Sequence, residues 1–131
     1  RGTPNLLIQV PTMRRSRVLR LAPVVLAASL AYLESLGWEA VTARTEVLAA
    51  RLIERLSVAG IEIATPPGQA AGIVSIAARD SAFTAQRLHE RGISVEPRGR
   101  FLRASPHFYN TEAEIDRFCE VFLELEKGSA A

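Results

Sequence analysis

The run FLRASPHFYN, residues 101 to 110, sets Arg103 inside a short apolar stretch and follows it with Ser105, His107, Tyr109 and Asn110. Under the two-residue alternation of a β-strand, Phe101 and Arg103 share one face and Leu102 and Ala104 the other. Arg103 is then either a solvated strand residue, as most arginines are, or a cation aimed into a cleft. Ser105 and His107 add hydrogen-bonding groups beside it, Pro106 fixes a turn, and Tyr109 and Asn110 anchor the chain before a helix. A guanidinium held on a strand end captures a carboxylate through two parallel N–H···O bonds, and that is the chemistry this stretch can do.

The other reactive groups offer less. His89 falls on the exposed side of a short helical stretch, and His107, close to Arg103, is the better candidate of the two histidines, with a turn or packing role as its alternative. Arg98 and Arg100 flank a turn and are candidates for a second acidic group on a ligand. The cluster Arg14, Arg15, Arg17 and Arg20 has no aromatic residues interleaved and reads as a solvated loop rather than a nucleic-acid surface. The lone cysteine, Cys119, cannot form an internal disulfide, and two histidines without a second cysteine make no zinc set. A reducing, cytoplasmic setting is expected. The sole lysine, Lys127, belongs to the last turn of the terminal helix, where it offsets exposed carbonyls.

These residues need elements to hold them. At 131 residues and 48% hydrophobic, the chain suits one core. Its net charge of +2, from fifteen arginines and one lysine against fourteen acids, sets up no field that calls for nucleic acid. A helix from Arg20 or Pro23 to Leu36 is apolar over most of its surface and is expected to be largely buried. A second, from Glu39 to Val58, carries Val41, Leu48, Leu52 and Leu56 on one side and is half exposed. The stretch MRRSRVLRLAPVVLAASLAYLES, a basic run followed by uncharged residues from Leu21 to Leu33, resembles a secretory signal, but twelve residues precede it and its apolar run is too short to span a bilayer. No membrane partner is expected.

Beyond Gly60 the period shortens. IEIAT and GIVSIAA read as two strands able to pair antiparallel, with the loop PPGQAAG between them. Ser81 opens a helix from Ala82 to Arg91 with Phe83 and Leu88 inward. ISVEP and RFLRAS are the third and fourth strands, on either side of an Arg98-Gly99 turn. Thr111 and Glu114 form a capping box, and Ile115, Phe118, Cys119, Phe122 and Leu125 stripe a final helix. The expected fold is α+β, a small four-stranded, mainly antiparallel sheet with helices packed on one face. Residues 1–20 form a linker or the end of another domain, and 21–131 the domain itself. Because the first residue is arginine, the chain is expected to be a segment or a processed product.

Three stretches carry a resemblance. RASPHFYNTEAEIDRF resembles the C-terminal signature of the class V aminotransferases, the fold type I pyridoxal-phosphate enzymes that include kynureninase, cysteine desulfurase and isopenicillin-epimerase relatives. GIVSIAARDSAFTAQRLHERGISVEPRGR resembles the preceding strand, helix and strand of their small domain, and RGTPN the end of their large domain. The resemblance implies that Arg103 binds the α-carboxylate of an amino-acid substrate. It also implies that Thr3 bonds the phosphate of pyridoxal 5'-phosphate across a homodimer interface. Fixing the amino acid aligns its breaking bond with the cofactor. Two departures stand out: LLIQVPTMRRSRVLR follows RGTPN where the family has little, and the lysine that these enzymes join to the cofactor is missing. The expected function is therefore that of a small C-terminal domain, catalytically inactive by itself, working with the large domain of the same enzyme. A desulfurase would also need a cysteine before the arginine-bearing strand, and residues 65–102 hold none. The competing readings are a non-catalytic module that self-associates through the Leu21–Leu33 helix, and a small-molecule sensor domain.

Overall fold

A computed structural model describes residues 15–66 and 68–128, with side chains from Leu21 onward. The chain divides into two units between Val41 and Thr42. Thr3 and Arg14 lie outside the described residues.

The first unit contains helix α1, Arg15–Leu36. It starts earlier than the apolar pattern indicated, so Arg15, Arg17 and Arg20 are helical rather than part of a loop. Pro23 sits within the helix and withdraws one backbone donor. Gly37, at φ +80°, ends it in the left-handed region that side chains disfavour. The expected burial is not found: from Leu21 to Leu36 every side chain is exposed except Leu33, which is half-buried. Leu21, Val24, Leu26 and Tyr32 are each at least 60% exposed. The apolar pattern records that a surface avoids water, and says nothing of what covers it.

Helix α2, Trp38–Val58, runs across the boundary into the second unit, where Leu48, Ala49, Leu52 and Leu56 are buried. Three strands follow, β1 (Val74–Ala77), β2 (Glu96–Arg98) and β3 (Phe101–Ala104), with helix α3 (Ser81–Glu90) between β1 and β2, and α4 (Glu112–Gly128) last. The sheet is antiparallel in the order β1-β3-β2. The architecture is α+β as expected, with three strands in place of four. IEIAT contributes a single bridge, Ile63 to Ile76. It stops there because the Thr65 hydroxyl accepts the Ser75 N–H at 2.9 Å in place of a backbone carbonyl, and Pro66 has no N–H to offer. The third strand is shorter than ISVEP and centred later; Pro97 suits it to the sheet edge.

Val74, Ile76, Leu102 and Ala104 point from the sheet into one core with Leu48, Leu52, Leu56, Leu88, Ile115, Phe118, Cys119 and Phe122. Phe83 does not join them, being 49% exposed. The inward stripe of α3 is Ser81, Thr84, Ala85 and Leu88, and five residues of helix separate Phe83 from Leu88 by about 140°. The cap of α3 is Asp80, whose carboxylate accepts the Phe83 N–H at 3.0 Å. Ser81, one residue inside, instead donates to the Gly99 carbonyl. At α4 the capping box forms as expected: Thr111 Oγ1 accepts the Glu114 N–H at 3.2 Å, and Glu114 accepts the Thr111 N–H at 2.8 Å. That backbone bond, with help from Asn110, holds the Glu114 carboxyl below the usual carboxylate range. Arg51 grips Asp116 through two bonds of 2.8 and 2.7 Å, tying α2 to α4 and depressing the Asp116 carboxyl.

Among the described residues no single helix is long and apolar enough to cross a membrane, and no group of three or more His, Cys, Asp or Glu could hold a metal ion.

Candidate functional site

Strand β3 separates its two faces sharply. Leu102 is fully buried and Ala104 nearly so, while Phe101 and Arg103 are half-buried on the opposite face. In register, Arg103 lies between Ser75 of β1 and Glu96 of β2. Antiparallel partners share a face, so Ser75, Ala77, Phe101, Arg103, Glu96 and Arg98 form the side of the sheet turned away from the core. The alternative left open by the alternation is thereby narrowed: Arg103 is partly covered rather than fully solvated.

The charges on this face are distributed unevenly. Arg98 donates to Glu96 at 2.7 Å. Arg100 donates to Glu62 and lies over the Phe101 ring, 4.5 Å from its centroid. Arg103, in contrast, has no ion pair or side-chain hydrogen bond among the described residues. A half-buried guanidinium whose donors are left for an incoming group can receive a planar, doubly accepting anion.

Past β3 the chain turns. The His107 N–H donates to Asn110 Oδ1 at 2.8 Å and the Asn110 N–H returns to the His107 carbonyl at 2.9 Å, fixing the approach to α4. The His107 ring is exposed and stacks on Tyr109 with centroids 5.2 Å apart. No bond joins it to Arg103 among the described residues. His89 is exposed, as the helix pattern indicated. Arg98 and Arg100, candidates for a second acidic group, are both engaged by glutamates of this chain. Thr3 is outside the described residues.

Glu96 escaped the reading of the sequence, although a signal was present. Arg98 pairs with Phe101 around a loop formed by Gly99 and Arg100. Counting back from that turn, two residues on each side, sets Glu96 opposite Arg103.

Cys119 is fully buried, and desolvation pushes its thiol from a usual value of 9.0 up to about 11. It is a core residue, as its place on the apolar stripe indicated. The native thiol is protonated between about pH 9 and 11 while the unfolded one ionises, so the unfolded state binds fewer protons and stability falls as pH rises through that window. Urea unfolding at pH 8 and pH 10.5 should show the loss, and a Cys119→Ala variant should lack this part of it; equal slopes for both proteins would refute the assignment.

No family model matches the chain. In an alignment 103 positions long that covers 70% of the chain, it is 36% identical to isopenicillin N epimerase of Amycolatopsis lactamdurans. Over 79% of its length it superposes on the apo structure of a cysteine desulfurase from Thermococcus onnurineus NA1, with a TM-score of 0.73 and 27% identity. The chain is similar over most of its length to part of the class V aminotransferase-like, fold type I family of pyridoxal-phosphate enzymes. It also shares its fold with 8-amino-7-oxononanoate synthase from Francisella tularensis, at a TM-score of 0.64 and 21% identity. The chain spans 26% of the epimerase and 30% of the desulfurase. Its one lysine, Lys127, is exposed in the last turn of α4, away from the sheet face that carries Arg103.

Proposed function

We propose that the chain is the C-terminal small domain of an amino-acid-transforming member of this family, and that Arg103 holds the α-carboxylate of the substrate. The observation that carries this reading is the half-buried Arg103 guanidinium, unpartnered among the described residues while the neighbouring arginines of its sheet face are paired. His107, whose exposed ring has no hydrogen bond among the described residues, is the second substrate contact in this proposal. The small domain supplies orientation: a carboxylate pinned at two points leaves the substrate few rotations about the bond to be broken. It does not supply the lysine or the remaining cofactor contacts, so it is inactive alone and works with a large domain, in a homodimer. The exposed apolar residues of α1 fit a chain that is covered by further protein.

The same exposed helix favours a second reading, a non-catalytic module that associates with itself through α1. One experiment separates the two. The product of the complete reading frame containing these residues is expected to absorb near the visible edge as purified, and borohydride is expected to fix the cofactor to a lysine outside this chain, found by peptide mapping. A colourless product with no such adduct would overturn the enzyme reading and leave self-association through α1.

A further inference from the structure

Resting on the assignment of Arg103 to a carboxylate, we infer that Arg98 is a positioning residue for it: Arg98 holds the Glu96 side chain so that this carboxylate does not neutralise the arginine beside it. Glu96 is the register partner of Arg103 across β2 and β3. Opposite charges at directly paired antiparallel positions, with Cβ atoms about 5 Å apart, ordinarily attract one another. Here Glu96 Oε1 instead accepts from Arg98 Nη2 at 2.7 Å, and no ion pair links Glu96 to Arg103. Arg98 can do this because it lies two residues along the same strand and therefore on the same face.

The other acid of this face is occupied in the same way. Ile63 bridges to Ile76, so Glu62 lies beside Ala77 on the outer side, where Arg100 takes its carboxylate. On its β1 side Arg103 meets Ser75, which is neutral. Each glutamate that could quench Arg103 thus has an arginine of its own, and Arg103 alone among these three arginines is left with its donors free among the described residues. Without Arg98, Glu96 would face one cation, Arg103, and an incoming carboxylate would have to compete with a tethered one.

The test uses the arginine Nε–Hε signals of the 131-residue chain, labelled with nitrogen-15 and titrated with sodium acetate at constant ionic strength. The initial slope of the Arg103 signal against acetate is expected to fall roughly two- to fivefold in Arg98→Ala, the range of an exposed ion pair. It should return to at least the unsubstituted slope when Glu96→Gln is added. An unchanged slope in Arg98→Ala overturns the positioning role and leaves Arg103 as a carboxylate group. A loss that Glu96→Gln does not restore also overturns it, because the effect would then come from altered structure. An Arg103 signal that ignores acetate in the unsubstituted chain overturns the Arg103 assignment and this inference together.

Discussion

Replacing Phe122 with alanine is expected to destabilise the chain by about 3 to 5 kcal/mol, the cost of a large cavity in a core that cannot fully collapse. Phe122 is fully buried on α4, stacked on Phe118 with ring centroids 5.9 Å apart, in the cluster that joins α2, α4 and the inner face of the sheet. Both the lost transfer energy and the void contribute. Phe83→Ala is the matched control. The same atoms are removed from a ring that is half in water, so its cost should stay within about 1 kcal/mol. Denaturant midpoints for the two variants, read by circular dichroism, decide the matter. Comparable losses would mean that the inner and outer sides of α3 and α4 are assigned wrongly.

Arg103→Ala is expected to weaken amino-acid binding by about 2 to 4 kcal/mol, as for the loss of a charge-assisted, two-point contact in a partly closed site. That corresponds to roughly thirty- to several-hundred-fold in the dissociation constant. Arg103→Lys should recover only part of the loss, since an ammonium keeps the charge and cannot present two parallel donors. The measurement is substrate affinity in the product of the complete reading frame, with the folded state checked by its unfolding midpoint. Because the Arg103 side chain points away from the core and bonds to nothing among the described residues, its truncation should leave stability nearly unchanged. An alanine variant that binds the amino acid as tightly as the parent would sink the carboxylate assignment, and the binding-module reading predicts that result.

The parts of this molecule that could be read from residues alone are those fixed within a few positions of one another. The Thr111 and Glu114 capping box closes across three residues. The α4 stripe from Ile115 to Phe122 follows from 3.6 residues per turn. Arg103 faces away from Leu102 because a strand alternates. The resemblance at RASPHFYNTEAEIDRF agrees with these features, and the whole-chain similarity to the relatives is of the same kind.

Other features depended on where distant segments came to lie. Ser81 and Asp80 are both good caps by type; Asp80 took the role because the Ser81 hydroxyl found the Gly99 carbonyl, eighteen residues away. Phe83 had the size and apolarity of a core residue, yet the inner side of α3 went to Thr84, whose hydroxyl reaches Glu126 of α4 at 3.1 Å. IEIAT had strand composition and kept only one bridge, since the Thr65 side chain displaced the next rung.

By itself, then, the sequence determined the α+β class, the α4 helix with its capping box and the face of the strand on which Arg103 lies, because propensity, alternation and helical period act over neighbouring residues. Only the tertiary structure decided that Glu96 stands opposite Arg103, that Arg98 and Arg100 are occupied by Glu96 and Glu62, and that α1 is exposed. The physical reason is that strand register, charge pairing and burial are properties of two surfaces brought together, and one stretch of chain specifies only its own.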